Sequence, residues 1–101
     1  MEISTLEQLQ EKYQEDFTIV VASTKTCTVC THAKGMIERM LQNTPLTYYT
    51  IDIDDVPLFR GEHLVFTVPT VLVFSQGKEL YRSSRFIDFG GLQKLVSRYL
   101  D

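Results

Sequence analysis

Residues 17–30 read FTIVVASTKTCTVC. From Phe17 to Ala22 every residue is apolar or β-branched with no polar alternation, the composition of a strand buried on both faces. After Ser23-Thr24-Lys25-Thr26 the period changes. Val29, Ala33, Met36, Ile37, Met40 and Leu41 recur at helical spacing and mark one apolar helix face. Cys27 and Cys30 therefore lie where a strand hands over to a helix. First-turn amides lack intrahelical acceptors there, and the helix dipole adds partial positive charge. A Cys27 thiolate is stabilised at such a place, and its pKa is expected below the free value of about 8.5. Cys30, on the same side of the first turn and further in, can close a small disulfide ring with Cys27. It is expected to be the more shielded sulfur. An outer attacker and an inner resolver are what two-step thiol-disulfide exchange requires.

Two blander readings compete. The cysteines can be two small residues sharing a helix start, or part of a metal site. Zinc wants four ligands, and only His32 lies nearby, two residues from Cys30 and on a different helix face. His32 reads as a solvated helix residue, and no metal or organic cofactor is expected.

Outward from this stretch, Ser4-Thr5-Leu6-Glu7 reads as a capping box opening a helix to about Gln14. Asn43-Thr44-Pro45 ends the second helix, and Tyr48 to Ile53 reads as a strand. Asp54 and Asp55 before Val56-Pro57 cap a short helix ending near His63 or Leu64. Thr70 to Phe74 and Glu79 to Ser83 form strands joined by the turn Ser75-Gln76-Gly77-Lys78. Leu92, Leu95, Val96, Tyr99 and Leu100 close the chain with an amphipathic helix. The strand-helix-strand unit predicts parallel pairing. The expected α/β architecture is a four-stranded mixed sheet, two parallel strands plus an antiparallel hairpin, with helices on both faces.

The 101 residues fit one domain spanning 1–101. With 44% apolar and 23% charged residues the composition is that of a globular protein. The longest aliphatic runs are four residues, Ile19 to Ala22 and Val71 to Phe74, against about 20 for a membrane span. Met1-Glu2-Ile3-Ser4 carries no secretory signal pattern. A net charge of −3 argues against broad binding to nucleic acid or anionic membrane. Two cysteines without an export signal point to a reducing, cytoplasmic setting. Asp52, Asp54 and Asp55 lack calcium-loop spacing and read as a solvated strand end and helix cap.

Cys27-Thr28-Val29-Cys30 after a buried strand, Val68-Pro69-Thr70 opening a later strand, and Gly77 in the hairpin turn together resemble the thioredoxin-fold superfamily. The chain is most similar to its small thioredoxin-like proteins, from about Phe17 to Leu100. The resemblance implies a dithiol-disulfide oxidoreductase in which Cys27 is the nucleophile and Cys30 the resolving thiol. It implies that Pro69 is a cis-proline facing the sulfurs, with the Val68 backbone presented to an extended substrate. Implied partners are disulfide substrates, protein or low-molecular-weight, and an external reductant such as a thioredoxin reductase or a small thiol. A monomer is expected, with neither nucleic acid nor membrane as partner. The alternative is a thioredoxin-fold binding or redox-sensing module without efficient turnover.

The missing tryptophan and buried carboxylate favour that alternative, and retention of both thiols and the proline disfavours it. Thr26 replaces the usual tryptophan, and Thr28-Val29 replaces Gly-Pro. Val21 occupies the buried-carboxylate position and Thr50 the facing position across the sheet. The first strand is absent or reduced to Ile3, and Gly90-Gly91 reads as a turn before the last helix. Thr28 can donate to the Cys27 thiolate and shift the couple toward oxidising, giving a potential less reducing than thioredoxin's. Arg85 stands where the family commonly has a small glycine. With Lys25 and Arg82 it can place a cation near Cys27 and attract anionic disulfides, or it can be a solvated strand-end arginine.

Overall fold

The unbroken apolar run becomes strand β2 (Thr18–Ser23), all six residues buried, because it pairs on both edges. A computed structural model describing residues 2–101 shows β2 parallel to β3 (Tyr48–Asp52) and antiparallel to β4 (Thr70–Ser75). β4 continues into β5 (Lys78–Ser84) through a two-residue turn. Both turn residues, Gln76 and Gly77, have positive φ, the hairpin geometry that matches strand twist. Their amides donate to the carbonyls of Glu15 and Tyr13, tying the hairpin tip to the chain leaving α1 (Leu6–Tyr13).

The sheet has five strands, in the order β1-β3-β2-β4-β5, one more than expected. The extra strand, β1 (Glu2–Ile3), pairs parallel with β3 through Glu2–Thr50 and Ile3–Ile51. Two residues are too few to display the alternation by which strands are recognised. Strand alternation then sorts the core. Val20, Ala22, Ile51, Leu72 and Phe74 face α1 and α3 (Leu58–His63). Ile19, Val21, Val71 and Val73 face α2 (Thr28–Leu41) and α4 (Phe89–Leu100). Each fully buried aliphatic or aromatic side chain contributes about 1.5–3 kcal/mol relative to exposure. Among the described residues no helix is long and apolar enough to cross a membrane.

Several local expectations shift. The α1 cap is Thr5, whose hydroxyl accepts the Gln8 amide, while the Gln8 side chain accepts the Ser4 amide. The capping motif thus slides one residue from Ser4/Glu7. Neither Asp54 nor Asp55 caps α3, whose N-cap is Pro57 without a side-chain bond. Asp52 instead accepts the amides of Asp54 and Asp55 at 2.8 and 3.3 Å in the turn before it. Asp52 is buried rather than solvated. Gly90 and Gly91 belong to the first turn of α4, not to a preceding turn. Asp88 caps it by accepting the Gly91 amide at 2.9 Å. A Cβ on Gly91 would collide with that carboxylate, which explains the glycine.

Candidate active site

Register brings the chemistry together at one end of the sheet. Ala22 pairs with Thr70 and Thr70 with Ser84, so the loop after β2, the loop before β4 and the loop after β5 emerge side by side. These carry Cys27, Pro69 and Arg85. Cys27 is the N-cap of α2, in extended conformation, and its Sγ accepts the Cys30 amide at 3.1 Å. The otherwise unpaired first-turn donor of the helix is thus directed at sulfur. Cys27 and Cys30 are joined as a disulfide, their Cα atoms 5.3 Å apart. Cys30 is 1% exposed, whereas Cys27 is only half-buried. The unequal shielding read from the spacing is present.

The Val68-Pro69 bond is cis. Its loop is braced from both sides: the Arg85 amide donates to the Pro69 carbonyl at 2.8 Å, and the Thr70 hydroxyl donates to the Thr67 carbonyl at 2.7 Å. Thr70 and Ser84 share a further hydroxyl bond at 3.0 Å. Arg85 has a φ of 69°, a left-handed conformation that costs a non-glycine residue about 1–3 kcal/mol.

Neither of the two cations expected to join Arg85 does so. The Lys25 ammonium bonds Asp55 at 2.8 Å and Asp52 at 3.3 Å, and the Asp55 and Asp52 hydrogen bonds raise its pKa. Burial alone would raise the Asp52 pKa. The Asp54 amide, Lys25 and the Asp55 amide outweigh it and hold the carboxyl below its ordinary value. Arg82 pairs with Glu79 and donates to the carbonyls of His63 and Leu64, closing the end of α3 instead. Thr26 and Thr28 are exposed beside the disulfide, and the bond that reaches Cys27 Sγ comes from the Cys30 amide rather than from Thr28. Val21 pairs with Thr50 in the β2–β3 register, so neither position offers an ionisable group. Among the described residues no cluster of three or more His, Cys, Asp or Glu side chains is arranged to hold a metal ion.

A hollow of about 250 Å³ opens beside the disulfide. Val29, between the two cysteines, lines it together with Pro69, Arg85, Phe86 and Phe89. Val29 is 57% exposed, a correction to its placement on the buried face of α2. Phe86, 88% exposed, escaped the sequence reading, as did Phe89. The one available signal was Asp88 three residues before Gly91, a helix-start pattern that places residues 85–87 in a loop.

A helix-capping Cys-x-x-Cys disulfide at the end of a five-stranded mixed sheet, on a loop that emerges beside a cis-proline loop, defines the class of thioredoxin-fold dithiol proteins. The solved structures agree in fold. A mutant thioredoxin from Halobacterium salinarum superposes with a TM-score of 0.84 at 19% identity, covering 100% of this chain and 90% of that one. Thioredoxin from Trypanosoma brucei brucei gives 0.83 at 19% identity, covering 99% and 89%. Sequence relatives go further. A thioredoxin-like protein of Bacillus subtilis, YdfQ, is 34% identical over 84% of this chain and 77% of its own length. Thioredoxin of Chlamydia trachomatis is 30% identical over 85% of this chain and 93% of its own length. The chain belongs to the thioredoxin family, and at family level it is a thiol-disulfide oxidoreductase. No protein-family profile matches it.

Proposed function

We propose that this protein reduces disulfides through Cys27 and Cys30. The observation that carries the reading is a partly exposed cysteine whose sulfur caps a helix and accepts the Cys30 amide, next to a buried partner cysteine. In the dithiol form the Cys27 thiolate attacks one sulfur of a substrate disulfide. A Cys27–substrate disulfide forms and the other substrate sulfur leaves as a thiolate. Cys30 then loses its proton, attacks Cys27 Sγ and displaces the second substrate thiolate. Two electrons pass to the substrate, and the chain ends as the Cys27–Cys30 disulfide. The Val68-Pro69 loop presents backbone to an extended substrate, and Arg85 supplies the nearby cation, with Thr26 and Thr28 at the rim. Substrates are protein or small-thiol disulfides. A thioredoxin reductase or a small thiol restores the dithiol of this cytoplasmic monomer.

Replacing Cys30 with Ser removes the resolver, so substrates remain covalently attached to Cys27 and are identified by mass spectrometry. Absence of any Cys27 adduct defeats the reading. Arg85→Ala raises the Cys27 pKa measured by pH-dependent alkylation; an unchanged titration removes Arg85 from the site. The Thr28 hydroxyl, which does not bond Sγ in the disulfide, would have to turn to the Cys27 thiolate of the dithiol to poise the couple less reducing than thioredoxin's value of about −270 mV. Equilibration against glutathione measures this, and a potential at or below that value contradicts it.

The pairing of Val21 with Thr50 favours a second reading. With no buried base to take the Cys30 proton, the thiols would respond to oxidation without efficient turnover. Comparing catalytic reduction of a protein disulfide by the native chain and by Cys27→Ser separates the two.

A further inference from the structure

The hollow beside Pro69 continues. Phe89 also lines a second hollow of about 430 Å³, bounded by Met36, Arg39, Met40 and Gln93. The two form one groove between α2 and α4 that begins where the Cys27–Cys30 segment and the cis-proline loop meet. From Val29 to Met40 the helix rises about 16 Å, the length of about five residues of extended chain. A small-thiol adduct would fill only the first hollow.

The groove's charge differs in sign from the chain's. Overall the net charge is −3. Yet Arg85 and Arg39 line the two hollows. Beyond them α2 and α4 carry Lys34, Lys94 and Arg98 against Glu38, which accepts the Tyr48 hydroxyl at 2.6 Å, and Asp88, whose carboxylate is engaged in capping α4 through the Gly91 amide. Neither hollow is lined by a carboxylate. Among the described residues Arg85 makes no ion pair, and the Arg39 guanidinium meets only the Met36 sulfur, at 3.1 Å. Apolar walls with unpaired cations along the rim complement a segment of opposite character.

We propose that this groove binds an extended acidic segment of a protein disulfide substrate, flanking the reactive cysteine. A large apolar or aromatic side chain of that segment seats in the hollow between Phe86 and Phe89, and its carboxylates face Arg85 and Arg39. The proposal rests on the disulfide-reducing function above and specifies its substrate class.

Peptides bearing one cysteine as a mixed disulfide with nitrothiobenzoate test it, with single-turnover reduction by the dithiol protein read from released nitrothiobenzoate. One peptide flanks the cysteine with phenylalanine and glutamates, on either side in separate syntheses; a second has lysines in place of the glutamates. Hydroxyethyl disulfide, small and neutral, normalises each rate. The expected result is about tenfold preference for the acidic peptide at low salt, falling as salt rises. Arg39→Glu should reduce the preference to threefold or less. Lys78→Glu, the same charge change on the distant hairpin, should leave it as in the native protein. Equal rates for both peptides, or a preference that Arg39→Glu leaves intact, overturns the groove assignment while hydroxyethyl disulfide is still reduced. Failure to reduce either peptide or hydroxyethyl disulfide overturns the underlying function as well. Sedimentation showing a dimer that Arg39→Glu abolishes would assign the groove to a second copy of the chain, and so also overturn the proposal.

Discussion

On one side of the sheet, α1 and α3 close over Tyr13, Phe59, His63 and Phe74, whose ring centroids lie 4.1 to 5.7 Å apart. The Tyr13 hydroxyl is hydrogen-bonded to the His63 ring, and Arg82 reaches across from β5 to the last carbonyls of α3. On the other side α2 and α4 pack aliphatic side chains, with Ile37 and Leu41 meeting Leu92 and Val96, and leave a groove with unpaired arginines at its rim. The first layer pairs Tyr13 with His63 and Arg82 with the end of α3, although Arg60 Nε is buried there without a partner. The second leaves Arg39 and Arg85 without ion pairs beside its groove. Within one small domain the first arrangement serves stability, and the second is the one proposed above for recognition.

The largest effect expected from this contrast is at Phe59, fully buried on the inner face of α3. Phe59→Ala should cost about 3–5 kcal/mol, read as a fall in the urea midpoint. Cys27 reactivity in the folded fraction should be unchanged. A change in thiol titration would mean that the two layers are coupled.

A smaller effect is expected from pH. Burial holds the His63 pKa below its ordinary value, with Arg82 acting the same way and the carboxylates of Glu62 and Glu79 opposing. Burial, with the same two carboxylates, raises the pKa of its partner Tyr13, which stays neutral. The native state therefore keeps His63 neutral, while the unfolded chain takes up a proton near the usual value of about 6.5. This contribution to stability is complete above that pH. It declines as pH falls through about 6.5 toward the lower native pKa. His63→Phe should flatten that part of the profile of urea midpoint against pH; an unaltered slope would place the titration elsewhere.

Least disturbed should be the stability of Phe86→Ala. A side chain so exposed should change it by no more than about 0.5 kcal/mol, while the KM for an aromatic-flanked peptide disulfide rises. Destabilisation beyond 1 kcal/mol, on the order of a buried contact, would make Phe86 part of the core and erase the distinction between the layers.

Legibility in the sequence followed the range of the interactions. Strand β2, the Cys27–Cys30 junction and α2 were readable because period and capping are local. Strand β1 was not, since Ile3 alone carries its apolar signal. Lys25 looked like a cation for Cys27 because the two are neighbours in sequence. Its carboxylate partners, Asp52 and Asp55, come from the end of β3 and the turn after it, and only the pairing of Ser23 with Asp52 brings them close. Val29 fits the helical period, yet it lies level with Pro69 and Arg85, outside the strands, where no sheet remains to cover it. The Tyr13–His63 contact spans 50 residues and leaves no local trace.

The bond from the Arg85 amide to the Pro69 carbonyl fastens two loops into a single jaw. On the proposed binding mode, a segment seated against Phe86 would load the Pro69 peptide plane through that bond, so its grip and the presentation of the Val68-Pro69 backbone would move together.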